Sequence, residues 1–113
     1  MQPESRKYLW DALNAADLVA DFVAGKDFDA YRADPLLRAG VERQLEIIGE
    51  ALSQLARKDP ETASLIADLV RIIAFRNILI HAYATVDDKV VWGVVATKLS
   101  SFRATLRGLL GST

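Results

Sequence analysis

Between two Asp-Pro pairs, Asp34-Pro35 and Asp59-Pro60, apolar residues fall at Leu37, Val41, Leu45, Ile48, Leu52 and Leu55. Steps of 4, 4, 3, 4 and 3 follow one face of an α-helix and do not fit the two-residue period of a strand. Aspartate before proline gives the segment an N-cap and a proline at its first helical position. The rest of the chain repeats this grammar. Leu9, Leu13, Ala16, Ala20 and Val23 recur at helical steps, and Gly25 offers a stop. Asp59-Pro60-Glu61 starts a third segment through Leu65, Leu69, Ile72 and Ile73. Asp87-Asp88 opens a fourth, striped by Val91, Val95, Leu99, Phe102, Leu106 and Leu109 until Gly111. No stretch alternates strictly enough to argue for a strand. The expectation is an all-α chain, an antiparallel four-helix up-and-down bundle with a short extra helix in the first connection, residues 26–34.

Composition narrows the function classes. With 113 residues the chain is expected to form a single domain, 1–113, with one core. Without cysteine there is no disulfide framework and no thiolate metal site, and one histidine does not make a zinc site within a chain. No metal or cofactor is expected. No run approaches the about 18 apolar residues that span a bilayer, and the first segment lacks a signal-type apolar core, so a cytoplasmic protein without membrane association is expected. Fourteen Lys plus Arg against fifteen Asp plus Glu leave a net charge of −1. That is a poor footprint for holding nucleic acid by its phosphates, so any such site must be local, built from a few arginines.

Residues 72–83, Ile-Ile-Ala-Phe-Arg-Asn-Ile-Leu-Ile-His-Ala-Tyr, carry the chemistry. Arg76, Asn77 and His81 sit among nine apolar or aromatic residues. A guanidinium is costly to bury unpaired. Apolar residues surround this helix on all sides, more than one bundle of four can cover, so a second protomer is expected to cover the rest. Asn77 and His81 form an i, i+4 pair in which the amide can orient the imidazole, and Arg76 can reach the same cleft from the flank. Metal-free RNA cleavage needs a base for the 2′-hydroxyl, a cation for the phosphorane oxygens and an acid for the leaving 5′-oxygen. Histidine and arginine suit these roles. One chain supplies one imidazole, whereas a two-fold dimer supplies two. The plainer account has Arg76 paired with Glu46 or Glu50 on the second helix, His81 as a packing residue and Tyr83 as a core aromatic with a wet hydroxyl.

Arg76-Asn77-Ile78-Leu79-Ile80-His81-Ala82-Tyr83 resembles the Arg-x4-His-x-Tyr motif of HepT-like proteins of the HEPN superfamily. Ile48-Gly49-Glu50-Ala51 resembles the family's second-helix element, and Val86-Asp87 with Val91-Trp92 its opening of the fourth helix. Relatives often carry a tryptophan shortly before the arginine, where Leu69-Val70-Arg71 stands here. The resemblance implies a four-helix HEPN bundle, a homodimer with a composite cleft and a metal-independent endoribonuclease toxin. By resemblance Arg76 and His81 are catalytic, with Asn77 in support. The implied partner is a minimal nucleotidyltransferase (MNT) antitoxin that transfers AMP to the motif tyrosine, Tyr83. The competing expectation is a non-catalytic substrate-binding or regulatory subunit of such a nucleotidyltransferase.

Overall fold

The computed structural model describes residues 1–111, and all regular structure among them is helical. The elements are α1 (Pro3–Val23), α2 (Phe28–Ala33), α3 (Pro35–Lys58), α4 (Pro60–Ala63), α5 (Leu69–His81), a 3-10 turn (Tyr83–Thr85) and α6 (Asp88–Gly111). Local chemistry explains most boundaries. Asp34 Oδ1 accepts from Leu37 N at 3.1 Å to cap α3, and Asp27 Oδ1 accepts from Ala30 N at 2.8 Å to cap α2. Gly25, at φ +73°, turns the chain after α1 in a conformation that other residues rarely adopt.

All six stripe residues of α3 are buried, and α1, α2, α4 and α5 all pack against it. α1 packs on α3 and on α6. Ser5 near the start of α1 meets Asp59 just past the end of α3, and Gly40 near the start of α3 meets Phe22 near the end of α1, so these two helices run in opposite directions. Arg6 reaches the Leu110 carbonyl, and Asp17 pairs with Arg103, so α1 also opposes α6. Leu9, Ala16, Val19, Val41, Leu52, Leu55, Val91 and Leu106 are fully enclosed between them. The short α2 does form within residues 26–34. It is anchored by Tyr31, fully buried, its ring 5.3 Å from that of Trp92 of α6 and tilted by 36°.

The third long segment departs from the apolar spacing. Helix begins at Pro60 as its start signal requires, but α4 lasts one turn, and α5 begins only at Leu69 after Asp68 adopts φ +62°. Thr62, Ala63 and Ile66 turn into the core while Leu65 points outward, and the chain bends between that turn and α5. Asp68 is among the few residue types that enter the left-handed region at modest cost. At the other end α5 stops at His81, and Tyr83 lies in the 3-10 turn.

α5 is the exposed member. It packs on α3 and stands off from α6. The gap holds a cavity of about 70 Å³ among Leu45, Ile48, Ile72, Phe75, Val95 and Leu99, continuing into an open groove of about 360 Å³. The molecule measures 42 × 29 × 19 Å, so its thin axis is about two helix diameters and no layer covers the outer side of α5. Only Leu79 of α5 is buried, whereas Val70, Ile78 and Ile80 are exposed.

Asp59 ties α1 to the α3–α4 junction. Its carboxylate accepts from Ser5 Oγ at 2.6 Å, Thr62 Oγ1 at 2.7 Å and Thr62 N at 3.2 Å. The Ser5 and Thr62 hydroxyls hold this carboxyl well below the usual carboxylate range. The folded state therefore binds the proton less readily than the unfolded chain. The resulting stability is fully present above the ordinary aspartate pKa and is lost as pH falls toward the depressed folded value. Asp59→Asn is expected to lower the thermal midpoint at neutral pH, and its difference from the natural chain is expected to shrink below about pH 4. Thermal unfolding followed by circular dichroism from pH 7 to pH 3 checks this. A pH-independent difference would contradict it.

Candidate active site

Arg76 lies where α5 comes closest to α3. Gly49 makes that approach possible: a Cβ at position 49 would stand 2.6 Å from Arg76 Cγ and closer still to its Cβ. The arginine stem therefore rests on the bare α3 backbone, and its side chain is only 26% exposed. The next residue on α3 supplies the counter-charge. Arg76 Nη2 donates to Glu50 Oε2 at 2.6 Å, a short charge-assisted contact. Nη1 donates to Asn77 Oδ1 at 2.9 Å, and Nε is buried without an acceptor. Gln54 Nε2 donates to the other oxygen of Glu50 at 3.1 Å, extending the chain of contacts along α3.

Of the two carboxylates that the sequence offers to Arg76, Glu50 is the partner. Glu46 pairs instead with Arg43, one helical turn earlier, at 3.5 Å. Both carboxylates line a polar groove of about 350 Å³ beside Arg76, between α1, α3 and α5, with Asn14, Gln44 and Gln54 among its other walls.

The remaining motif residues are placed differently from the sequence expectation. Asn77 turns its amide oxygen to Arg76, not to His81. His81 is the last residue of α5, exposed, and does not line the groove that holds Arg76. Five helical residues separate the two side chains by about 140° around the axis, which is why one faces α3 and the other faces away. Tyr83 is 75% exposed, so its whole ring meets solvent and not only its hydroxyl. Helix termination at His81 removes the two-turn alignment of Tyr83 with Arg76 that a continuing helix would give. Within one chain, then, Arg76 and Asn77 form a unit with Glu50, while His81 and Tyr83 form a separate exposed pair at the α5 end.

Sequence reasoning missed the part played by Gly49. A glycine inside a strong helical stripe was the available signal, because it costs about 1 kcal/mol against alanine and so marks a close approach. Among the described residues no group of three or more His, Cys, Asp or Glu side chains converges as a metal site.

The chain belongs to the ribonuclease HepT-like family, whose model matches residues 12–109. It is 32% identical over 107 residues to a Thermococcus cleftensis protein named "Probable ribonuclease HepT", covering 91% of this chain and 93% of that one. It is 29% identical over 105 residues to a "Putative RNase" of Caldanaerobacter subterraneus subsp. tengcongensis, covering 93% of each. A "Putative RNase" of Methanocaldococcus jannaschii shares 32% identity over 90 residues, 80% of this chain and 82% of that one. No solved structure matches the chain.

Proposed function

We propose that this chain is a metal-independent endoribonuclease, the toxin of a toxin–antitoxin pair, whose four long helices form an antiparallel HEPN bundle and whose site is completed in a homodimer. The observation that carries the reading is Arg76. A guanidinium held in one direction by Glu50 and Asn77 is what a developing phosphorane charge requires. Family membership supplies the reaction class.

The chemistry follows from the groups present. A base takes the 2′-hydroxyl proton, the 2′-oxygen attacks phosphorus, and Arg76 stabilises the equatorial oxygens. The P–O5′ bond then breaks as an acid protonates the leaving oxygen, giving a 2′,3′-cyclic phosphate and a free 5′-hydroxyl. His81 is the group that can trade a proton near neutral pH. Arg76 and His81 face different sides of α5, and one chain has one imidazole. A two-fold axis along the uncovered side of α5 supplies the second copy and buries Val70 and Ile78.

The proposed control is transfer of AMP from ATP to Tyr83 by a minimal nucleotidyltransferase antitoxin. The phenolic oxygen attacks the α-phosphorus and pyrophosphate leaves. Its exposure favours this, since an enzyme must surround the acceptor oxygen. Phosphate added two residues from His81 brings negative charge to the place where RNA phosphate must lie.

A second reading, a non-catalytic subunit of a nucleotidyltransferase, is favoured by the net charge of −1 and by the neutralisation of Arg76 by Glu50.

Three measurements test the proposal. RNA cleavage by the purified chain should persist in EDTA and fall by about 10²–10⁴-fold on His81→Ala or Arg76→Ala in folded protein. Cleavage that EDTA abolishes, or that survives both changes, overturns the assignment, and no cleavage by the natural chain favours the subunit reading. Sedimentation should give a dimer at micromolar concentration, where a monomer contradicts the composite site. With the antitoxin and ATP, mass spectrometry should find AMP on Tyr83 together with lost cleavage. Tyr83→Phe should prevent both, and a label on Tyr8 or Tyr31 refutes the control mechanism.

A further inference from the structure

Arg76 meets three different surroundings at once. Its stem lies on α3 where position 49 has no side chain, its fork is engaged on both sides, and its Nε is shut away from water without an acceptor. An unsatisfied buried N–H of a cation is unfavourable, and an arginine on a half-exposed helix could rotate its guanidinium outward to hydrate it. It remains because two constraints act together. The stem seats against α3 only at glycine, and the carboxylate one residue later draws the fork along the helix surface. Each terminal nitrogen donates one N–H within the chain and keeps a second, so two donors remain for oxygens from outside.

We propose that Gly49 and Glu50 act as a pair of positioning residues for Arg76, the glycine setting how deeply the stem seats and the carboxylate setting where the fork points. This rests on the reading of Arg76 as the phosphate-stabilising group. A methyl group at position 49 cannot coexist with the Arg76 stem, so α5 must withdraw by an ångström or more in Gly49→Ala. Displacements of this size at a group that stabilises a transition state cost about 10²-fold in rate. Glu50→Gln leaves the seat intact and removes the charge that orients the fork, which makes it the milder change.

The test uses the full chain in two readouts, one of which needs no RNA. In proton–nitrogen spectra of the arginine side chains, the Arg76 Nε–H of the natural protein should exchange slowly with water. It should exchange fast in Gly49→Ala and in Glu50→Gln. Cleavage of a single-stranded RNA should then show kcat reduced about 10²-fold in Gly49→Ala and less in Glu50→Gln, with KM changed far less. The cycle with Arg76→Ala separates positioning from folding. If Gly49 acts through Arg76, Gly49→Ala adds no further loss on the Arg76→Ala background. A general loss of folded protein would multiply the rate down equally on both backgrounds, and that result overturns the proposal. Fast Nε–H exchange in the natural protein also overturns it, as does an unchanged kcat in Glu50→Gln whose Nε–H has been released. If Gly49→Ala does not fold, Glu50→Gln carries both readouts. If the natural chain cleaves no RNA, the proposed function fails, while the exchange measurement still decides whether Gly49 and Glu50 hold the arginine.

Discussion

A guanidinium keeps its charge at every pH at which the protein is folded, so a helix carrying one into a helix–helix contact must bring a counter-charge within reach. Here that demand is met at the contact between α3 and α5. Arg76 enters the α3–α5 contact at Gly49, where α3 offers bare backbone, and Glu50, the next residue, meets the fork at 2.6 Å. The depth of that contact sets how far α5 leans toward α3. The opening between α5 and α6, with its apolar cavity among Leu45, Ile72, Phe75 and Leu99, lies on the side from which α5 leans away. A substitution that relaxes the first contact therefore acts on the second gap, whose lining is apolar apart from Lys98.

The opposite end of the molecule is held by hydroxyls. Asp59 gathers Ser5 and Thr62 and so ends α3, starts α4 and pins the first turn of α1 in one carboxylate. Such a joint is rigid and needs no further charge. Tyr31 closes the remaining side with apolar contact alone: its hydroxyl is buried without a partner, and that burial pushes the phenol well above its usual pKa. The fixed joints thus lie at the α1–α3–α6 core, away from α5.

Legibility in the sequence followed the same division. The stripe from Leu37 to Leu55 was readable residue by residue, because a helix buried along one face writes its period directly. The starts of α3 and α4 were readable from Asp34 and Asp59, whose side chains do cap them. The break at Asp68 was not readable. No glycine or proline marks it, and an inward Ile66 beside an outward Leu65 suits an unbroken helix equally well. The pairing of Arg76 was half legible. Glu46 and Glu50 are one turn apart and chemically alike, and only the steric opening at Gly49 decides between them. The sequence pattern of α5, apolar all round, correctly marked a helix that one bundle leaves uncovered, but the sides taken by Arg76 and His81 depended on which face met α3.

On the proposed reading, the Glu50 contact also bears on how the site treats its substrate. A lone arginine in a shallow groove would attract phosphate before and after cleavage alike and would slow release of products. With Glu50 at 2.6 Å, the ground-state phosphate meets a cation already largely neutralised, so ground-state attraction is weak. The phosphorane carries more negative charge than the phosphodiester it arises from, and it gains more from the two remaining N–H groups than the substrate does. A matched counter-ion thus biases the same guanidinium toward the transition state. The near-neutral charge of the whole chain acts in the same sense, since it supplies no long-range field to hold RNA once the bond is cut.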